Sequence, residues 1–269
     1  MKKESFKDSV AIVTGGSSGI GRSLCLELAR YGAKVIVCDA NSNEASHVAY
    51  EIAESGGTAV AVTADVSIPI QIENAIQEAV SRFGRLDFMF NNAGIALVAE
   101  MYHMDLMRWK RMIDVNLMGV IYGTHYAYQV MCRQKSGHII NTASLGGLVP
   151  GPLRSAYIAG KFGVVGLTLS LRTESNKYGV RASVVCPGAV KTPIFQTAEM
   201  IGYDRKKAEE GLEKTKMMNP DEAASKILQG VAHNKGIILM DALSKSLWRL
   251  FRFSPALFER LVSRITVAK

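Results

Sequence analysis

Tyr157 and Lys161 stand four positions apart in Tyr157-Ile158-Ala159-Gly160-Lys161, within a pattern that predicts a helix over 157–178. That spacing sets both side chains on one helical face, about 5–6 Å apart at Cβ. A phenol of ordinary pKa, about 10, is a poor base at neutral pH. A neighbouring ammonium stabilises the phenolate and lowers that value. So paired, the phenol can take a proton from an alcohol or give one to a carbonyl. Ser144, 13 residues earlier and just past a predicted strand, can hold the same substrate oxygen through its hydroxyl. Taken singly, a Tyr/Lys pair at helical spacing is most often an amphipathic face, and a Ser after a strand is ordinary. Asn116 is less ordinary, because Asn is a mediocre helix former that competes for backbone hydrogen bonds.

A second group of residues suits a phosphate. Thr14-Gly15-Gly16-Ser17-Ser18-Gly19-Ile20-Gly21 follows a predicted strand and opens a predicted helix. Glycines there let the backbone turn sharply and approach a pyrophosphate, and the helix N-terminus offers free N–H groups. The spacing is G-x-x-x-G-x-G rather than G-x-G-x-x-G, and its position between strand and helix separates it from a plain tight turn. Asp39, 18 residues beyond Gly21, ends the second predicted strand. A carboxylate there accepts hydrogen bonds from ribose hydroxyls and repels a 2′-phosphate, which favours NAD over NADP. The plainer alternative is that Asp39 only caps a turn beside Asn41.

The elements that must position these groups alternate. Strands are predicted at 10–14, 34–38, 58–63, 88–91, 138–142, 181–186 and 237–240, each rich in β-branched or aromatic residues. Helices are predicted at 20–31, 44–55, 71–83, 107–131 and 157–178. This alternation predicts an α/β fold with a parallel sheet and helices on both faces. No repeat or linker breaks it, so 1–244 is expected as a single catalytic domain. Within it, 194–218 is expected as a helical excursion over the rim, a lid over the substrate, and Asn219 with Pro220 opens a further helix.

In order, Thr14–Gly21, Asp65-Val66, Asn91-Asn92-Ala93-Gly94, Asn116, Ser144, Tyr157 to Lys161 and Pro187-Gly188 match the motif set of the short-chain dehydrogenase/reductase family. The chain resembles that family over about residues 8–192. The resemblance implies a Rossmann-type doubly wound parallel sheet in three layers, α/β/α, and a hydride exchanged between NAD and an alcohol or ketone. It implies Asn116, Ser144, Tyr157 and Lys161 as the catalytic set, with Asn116 anchoring a water in a proton relay behind Lys161. Gly15, Ser17, Ser18, Gly19, Ile20, Gly21 and Asp39 are the expected cofactor residues of the first half. Asp65 and Val66 lie beside the adenine, and Asn92, Ala93 and Gly94 under the adenosine ribose. Pro187, Gly188, Val190 and Thr192 hold the nicotinamide, and Tyr157 and Lys161 its ribose. A homodimer or homotetramer built through 107–131 and 157–178 is implied as well. Two alternatives stay open: an NADPH-linked ketone reductase, and a non-catalytic dinucleotide-binding protein.

The net charge of +8 is uneven. Residues 245–269 carry six basic residues against Glu259 alone, so the rest of the chain carries only +3, and no basic stripe interleaved with aromatics argues for nucleic acid. Cys25, Cys38, Cys132 and Cys186 lack metal-ligand spacing and read as buried thiols; no metal is expected. With no signal segment and no apolar run near the ~18 residues that span a bilayer, a cytoplasmic protein is expected, at most peripheral to a membrane.

Leu145, Leu148, Val149 and Pro150 after Ser144, with Phe195 to Met218, suggest apolar substrate walls and so a lipophilic substrate such as a steroid or long-chain compound. Arg154 reads as a solvated surface residue. The family's usual Asp-Gly-Gly terminus is absent. Instead 245–269 forms a basic, amphipathic helical extension that Pro255 divides, with Ser254 as the cap of its second helix. It suits a subunit interface or flap first, a membrane surface carrying anionic lipid second, and plain core packing last.

Overall fold

Val10-Ala11-Ile12-Val13-Thr14 is apolar at nearly every position because the strand it forms, β1 (Val10–Thr14), is covered on both faces. Ile12 joins one apolar cluster and Val13 the other, the period-two alternation of a strand inside a layered sheet. The structure, a computed structural model, describes residues 3–203, 205–206 and 216–267.

From β1 the chain runs through α1 (Gly19–Arg30), β2 (Lys34–Asp39), α2 (Ser42–Glu54), β3 (Thr58–Thr63) and α3 (Pro69–Phe83) to β4 (Phe88–Asn91). A short β5 (Leu97–Ala99) precedes α4 (Leu106–Ile113) and α5 (Gly119–Gln134). Next come β6 (Gly137–Thr142), α6 (Ser155–Ser175), β7 (Val180–Cys186), the short β8 (Glu199–Ile201), α7 (Pro220–Ala232) and β9 (Ile237–Leu239). The chain closes with α8 (Ala242–Phe253) and α9 (Pro255–Val267). Seven strands form one parallel sheet in the order β3-β2-β1-β4-β6-β7-β9. The first half winds outward from β1 toward β3 and the second from β4 toward β9. The crevice between the carboxyl ends of β1 and β4 is therefore the place where such sheets bind ligands.

Helices cover both faces. α1, α2 and α7 place Leu24, Leu28, Val48, Ile52 and Ile227 on the Val13, Val35 and Val37 side. On the Ile12, Ile36 and Ile139 side lie Ile72 and Ile76 of α3 and Val130 and Met131 of α5. Capping follows the sequence signals. The Asn41 carboxamide oxygen accepts from the Glu44 N–H, and Asn219 precedes Pro220 at the start of α7.

Three expectations change. The helix expected over 107–131 is two helices joined by a π-helical turn, Asp114–Met118, because Asn116 spends its side chain on the main chain of Ile95 rather than facing solvent. The excursion after 194 contains a strand as well as helix: a 3-10 turn at Pro193–Phe195 leads into β8, which pairs in parallel with β5, Leu97 opposite Glu199 and Ala99 opposite Ile201. Positions 204 and 207–215 of that excursion lie outside the described residues. The C-terminal helices begin at Ala242, and their inner side is core: Phe258 is buried against Phe251 in a cluster with Leu148, Val149, Val164 and Val165. No helix among the described residues is long and apolar enough to cross a membrane.

Candidate active site

The turn after β1 is shaped by what a side chain would strike. A Cβ on Gly21 would meet the Gly15 carbonyl oxygen at 1.9 Å and Asn92 Nδ2 at 2.7 Å. Gly15 itself has φ +62°, and a Cβ there would meet Ala93 Cα at 2.9 Å. The loops after β1 and β4 are thereby pressed together. Thr14 ties them: its hydroxyl oxygen accepts from the N–H groups of Asn92 (2.9 Å) and Ala93 (3.1 Å), and Asn92 Nδ2 donates to the Thr14 carbonyl at 3.1 Å. From the other side Thr192 closes on Gly19, whose Cβ would lie 3.0 Å from that threonine's side chain. The result is a glycine-walled cleft at the amino end of α1, the shape and polarity that a pyrophosphate takes.

Asp39 ends β2 beside this cleft. Its Oδ2 accepts from the Ser17 hydroxyl (2.7 Å) and N–H (3.1 Å), and its Oδ1 from the Asn41 N–H (3.0 Å). Ser17 is thus buried behind Asp39, whereas Ser18 is exposed at the cleft and Ile20 half-buried. Asp65 is exposed and accepts from Ser67, while Val66 packs against Gly119. Both lie past the end of β3.

At the ends of β6 and α6 three groups converge. Ser144 stands beside the Tyr157 ring, both within 3.7 Å of where a Cβ on Gly146 would lie, and its hydroxyl oxygen accepts from the Gly146 N–H at 3.1 Å. The Lys161 ammonium lies 5.7 Å from the Tyr157 ring centre and donates to the Thr142 carbonyl oxygen at 3.0 Å. Burial lowers the Lys161 pKa to about 8. Burial also raises the Tyr157 phenol above its ordinary value, and the Ser144 hydroxyl and the Arg154 charge only partly offset it. The direction is opposite to the one expected from the Lys161 spacing, because desolvation is the larger effect.

Asn116 lies one layer back and is fully buried. Its Nδ2 donates to the Ile95 carbonyl (2.9 Å) and its Oδ1 accepts from the Ile95 N–H (3.0 Å). A Cβ on Gly94 would sit 2.8 Å from Asn116 Oδ1 and 3.4 Å from Lys161 Nζ, so Asn116, Gly94 and Lys161 are in one place. The amide is committed to the loop after β4, with Met112 Sδ 4.0 Å from its Nδ2, which makes its side chain a brace of that loop.

Other expected positions divide. Pro187 and Gly188 turn the chain at the end of β7 beside the Ser144 loop, the Leu145 N–H donating to the Pro187 carbonyl at 2.7 Å. Val190 turns its side chain into the core, and the backbone around it bridges in parallel to Met218. Leu148 and Val149 are core as well, against the C-terminal helices, and do not line a substrate wall. The apolar surroundings of Tyr157 come from Ile95, Trp109, Ala156 and Ile201 instead. Glu199 at the start of β8 is held by Arg108, whose Nε donates to it at 2.6 Å.

Sequence reasoning missed Thr14, Arg154 and, furthest away in sequence, Asp241 and Ser244. A Cβ on Gly188 would meet Ser244 Oγ at 2.7 Å and Asp241 Oδ2 at 2.8 Å. Asp241 caps α8 by accepting from the Ser244 N–H and hydroxyl, both at 2.7 Å, and this cap abuts the turn after β7. Thr14 was legible from its place in the glycine turn; nothing local marks the other three.

The family model described as short chain dehydrogenase matches residues 9–200. The chain is 42% identical over 200 residues to cyclohexanol dehydrogenase of Acinetobacter sp. (strain SE19), covering 73% of this chain and 80% of that protein. It is 35% identical over 220 residues to levodione reductase of Leifsonia aquatica, covering 81% and 82%. Among solved structures, a short chain dehydrogenase/reductase from Burkholderia phymatum in complex with NAD superposes with a TM-score of 0.87 at 26% identity, over 94% of this chain and 95% of that one.

Proposed function

The chain belongs to the short chain dehydrogenase family, and on that premise we propose that it interconverts an apolar secondary alcohol and its ketone, with NAD(H) as the redox partner. One observation carries the reading: Ser144, Tyr157 and Lys161, from two different elements, meet at the mouth of the glycine-walled cleft. The site suits a dinucleotide, because the glycines let the loops after β1 and β4 close together beside the amino end of α1, where free N–H groups can meet a pyrophosphate. A bound nicotinamide accepts the hydride of an alcohol or delivers one to a ketone.

The chain's own residues supply the rest. Tyr157 gives its phenolic proton to the carbonyl oxygen during reduction and takes it back during oxidation, a contribution of roughly 10²–10⁴-fold. Ser144 donates a hydrogen bond to the same oxygen and fixes its position. Lys161, held in place by Thr142, offers its ammonium to the nicotinamide ribose and to the phenolate that forms at Tyr157. Asn116 holds the loop after β4 so that Asn92, Ala93 and Gly94 keep the cleft open. Asp65 and Val66 flank the adenine, and Gly188 with Thr192 the nicotinamide.

Asp39 supports NAD over NADP: a carboxylate held in place by Ser17 and Asn41 stands where a 2′-phosphate would have to sit. The similar structure from Burkholderia phymatum is an NAD complex, and the similarity to a cyclohexanol dehydrogenase supports an apolar alcohol. Ile95, Trp109 and Ile201 around Tyr157 suit such a substrate. Phe162, exposed on α6, and the small residues beside it suit a homo-oligomer packed through α5 and α6. Four free cysteines fit a reducing compartment such as the cytoplasm.

The test is a panel of cyclic, steroidal and long-chain secondary alcohols offered with NAD or NADP and read by absorbance of the reduced cofactor. Turnover with NAD and an apolar alcohol is expected. Tight NADH binding with no turnover across the panel and its ketones would replace this reading with a non-catalytic, dinucleotide-binding one.

A further inference from the structure

The C-terminal helices separate two kinds of side chain. Leu247, Trp248, Leu250 and Phe251 of α8 and Phe258 and Val262 of α9 pack into the core beneath α6 and β7. Lys245, Arg249, Arg252 and Phe253, recurring every three or four residues, are left on the outer side of α8. Phe253, at the break between the helices, is 91% exposed, and Leu257 one turn later is 53% exposed. Leu243, Arg260 and Leu261 are exposed as well.

Two properties of this surface need explaining together. Lys245, Arg249 and Arg260 form no ion pair with any described residue, and Arg252 meets only the Trp248 ring, 5.2 Å from its centre. Between 242 and 267 the sequence holds five basic residues and the single acid Glu259. Uncompensated cations alone describe a solvated helix face. Cations beside large apolar side chains that stand in water describe a surface missing its partner.

We propose that this surface, centred on the α8–α9 break, docks on a lipid bilayer carrying anionic headgroups. Phe253 and Leu257 enter the interfacial region while Lys245, Arg249, Arg252 and Arg260 meet the headgroup phosphates. Charge complementarity selects this occupant. A second copy of the chain meeting the surface about a two-fold axis would set these cations against themselves. A polyphosphate chain would satisfy the cations but leave Phe253 and Leu257 in water. The inner side of the helices is committed to the protein, so the contact is peripheral. The inference does not depend on the reaction catalysed.

The experiment uses the purified full-length chain, sedimented with vesicles of phosphatidylcholine alone or of an equimolar mixture with phosphatidylglycerol. Binding to the anionic vesicles is expected to be stronger by at least about tenfold and to weaken as salt rises. Lys245→Glu/Arg249→Glu/Arg260→Glu should abolish it, and Phe253→Ser should weaken it several-fold. All four side chains are exposed, so thermal melting and NADH binding should match the parent protein. Equal binding to both vesicle types, no binding to either, or unchanged binding by the charge-reversed variant overturns the proposal. So does a charge-reversed variant that dissociates in light scattering, which would assign the surface to contact between copies.

Discussion

The Lys161 ammonium lies 5.7 Å from the centre of the Tyr157 ring, yet its hydrogen bond goes to the Thr142 carbonyl oxygen at 3.0 Å. The lysine is therefore positioned by the end of β6, independently of the phenol. Burial shifts the two groups in opposite directions, Lys161 down to about 8 and Tyr157 up. Ketone reduction needs the proton on both. As pH rises, Lys161 loses its proton first, so kcat/KM for reduction should be level below about pH 8 and fall above it. The pH dependence of kcat/KM with NADH reads this in the free enzyme. A profile flat from about pH 6 to about pH 10 contradicts the assignment.

Tyr157→Phe should lower turnover by about 10³ while NADH affinity stays within about threefold of the parent, since the ring is kept and only the proton carrier is lost. Stability should change by about 1 kcal/mol at most, because only the hydroxyl is removed and the buried ring is kept. Fluorescence titration with NADH and steady-state rates separate the two effects. Retained turnover would remove Tyr157 from the mechanism.

Asp39→Ala removes the acceptor for Ser17 and Asn41 together with the charge that faces the cleft. The ratio of kcat/KM for NAD to that for NADP should fall by at least about tenfold, a change of about 1.4 kcal/mol. Stability should drop by about 1–3 kcal/mol as the Ser17 contacts go. If stability falls and the cofactor ratio does not move, Asp39 is only the brace of the glycine turn.

Gly188→Ala should raise KM for the cofactor and destabilise the fold by about 1–3 kcal/mol, because its methyl meets Ser244 Oγ and Asp241 Oδ2 at under 3 Å. Adding Ser244→Ala in that background removes one of the two colliding atoms and should recover part of the lost affinity. Thermal melts and NADH titrations of the single and double variants measure the coupling. Strict additivity would show that the turn after β7 is not held by the cap of α8.

Much of this was legible in the chain itself. The order of strands and helices, the glycine turn after β1, Asp39 at the end of β2 and the Tyr157/Lys161 pair all follow from local pattern. Each is set by neighbours within a few residues: strand period, glycine geometry and helical spacing. The division of the C-terminal extension at Pro255 was legible for the same reason, with Ser254 accepting from the Leu257 N–H.

What the sequence could not decide were the contacts between residues far apart along the chain. Asn116 breaks its helix because Ile95, on another element, offers a donor and an acceptor at the right separation. Leu148 and Val149 became core because α8 and α9 return to cover them, and 195–201 became partly strand because β5 was there to pair with it. Gly188 is crowded by residues more than fifty positions later. Local propensity determined which elements form and which side chains share a face. Tertiary packing alone decided which surfaces were left for cofactor, substrate and solvent, because burial and hydrogen-bond partners are assigned only when the layers close on one another.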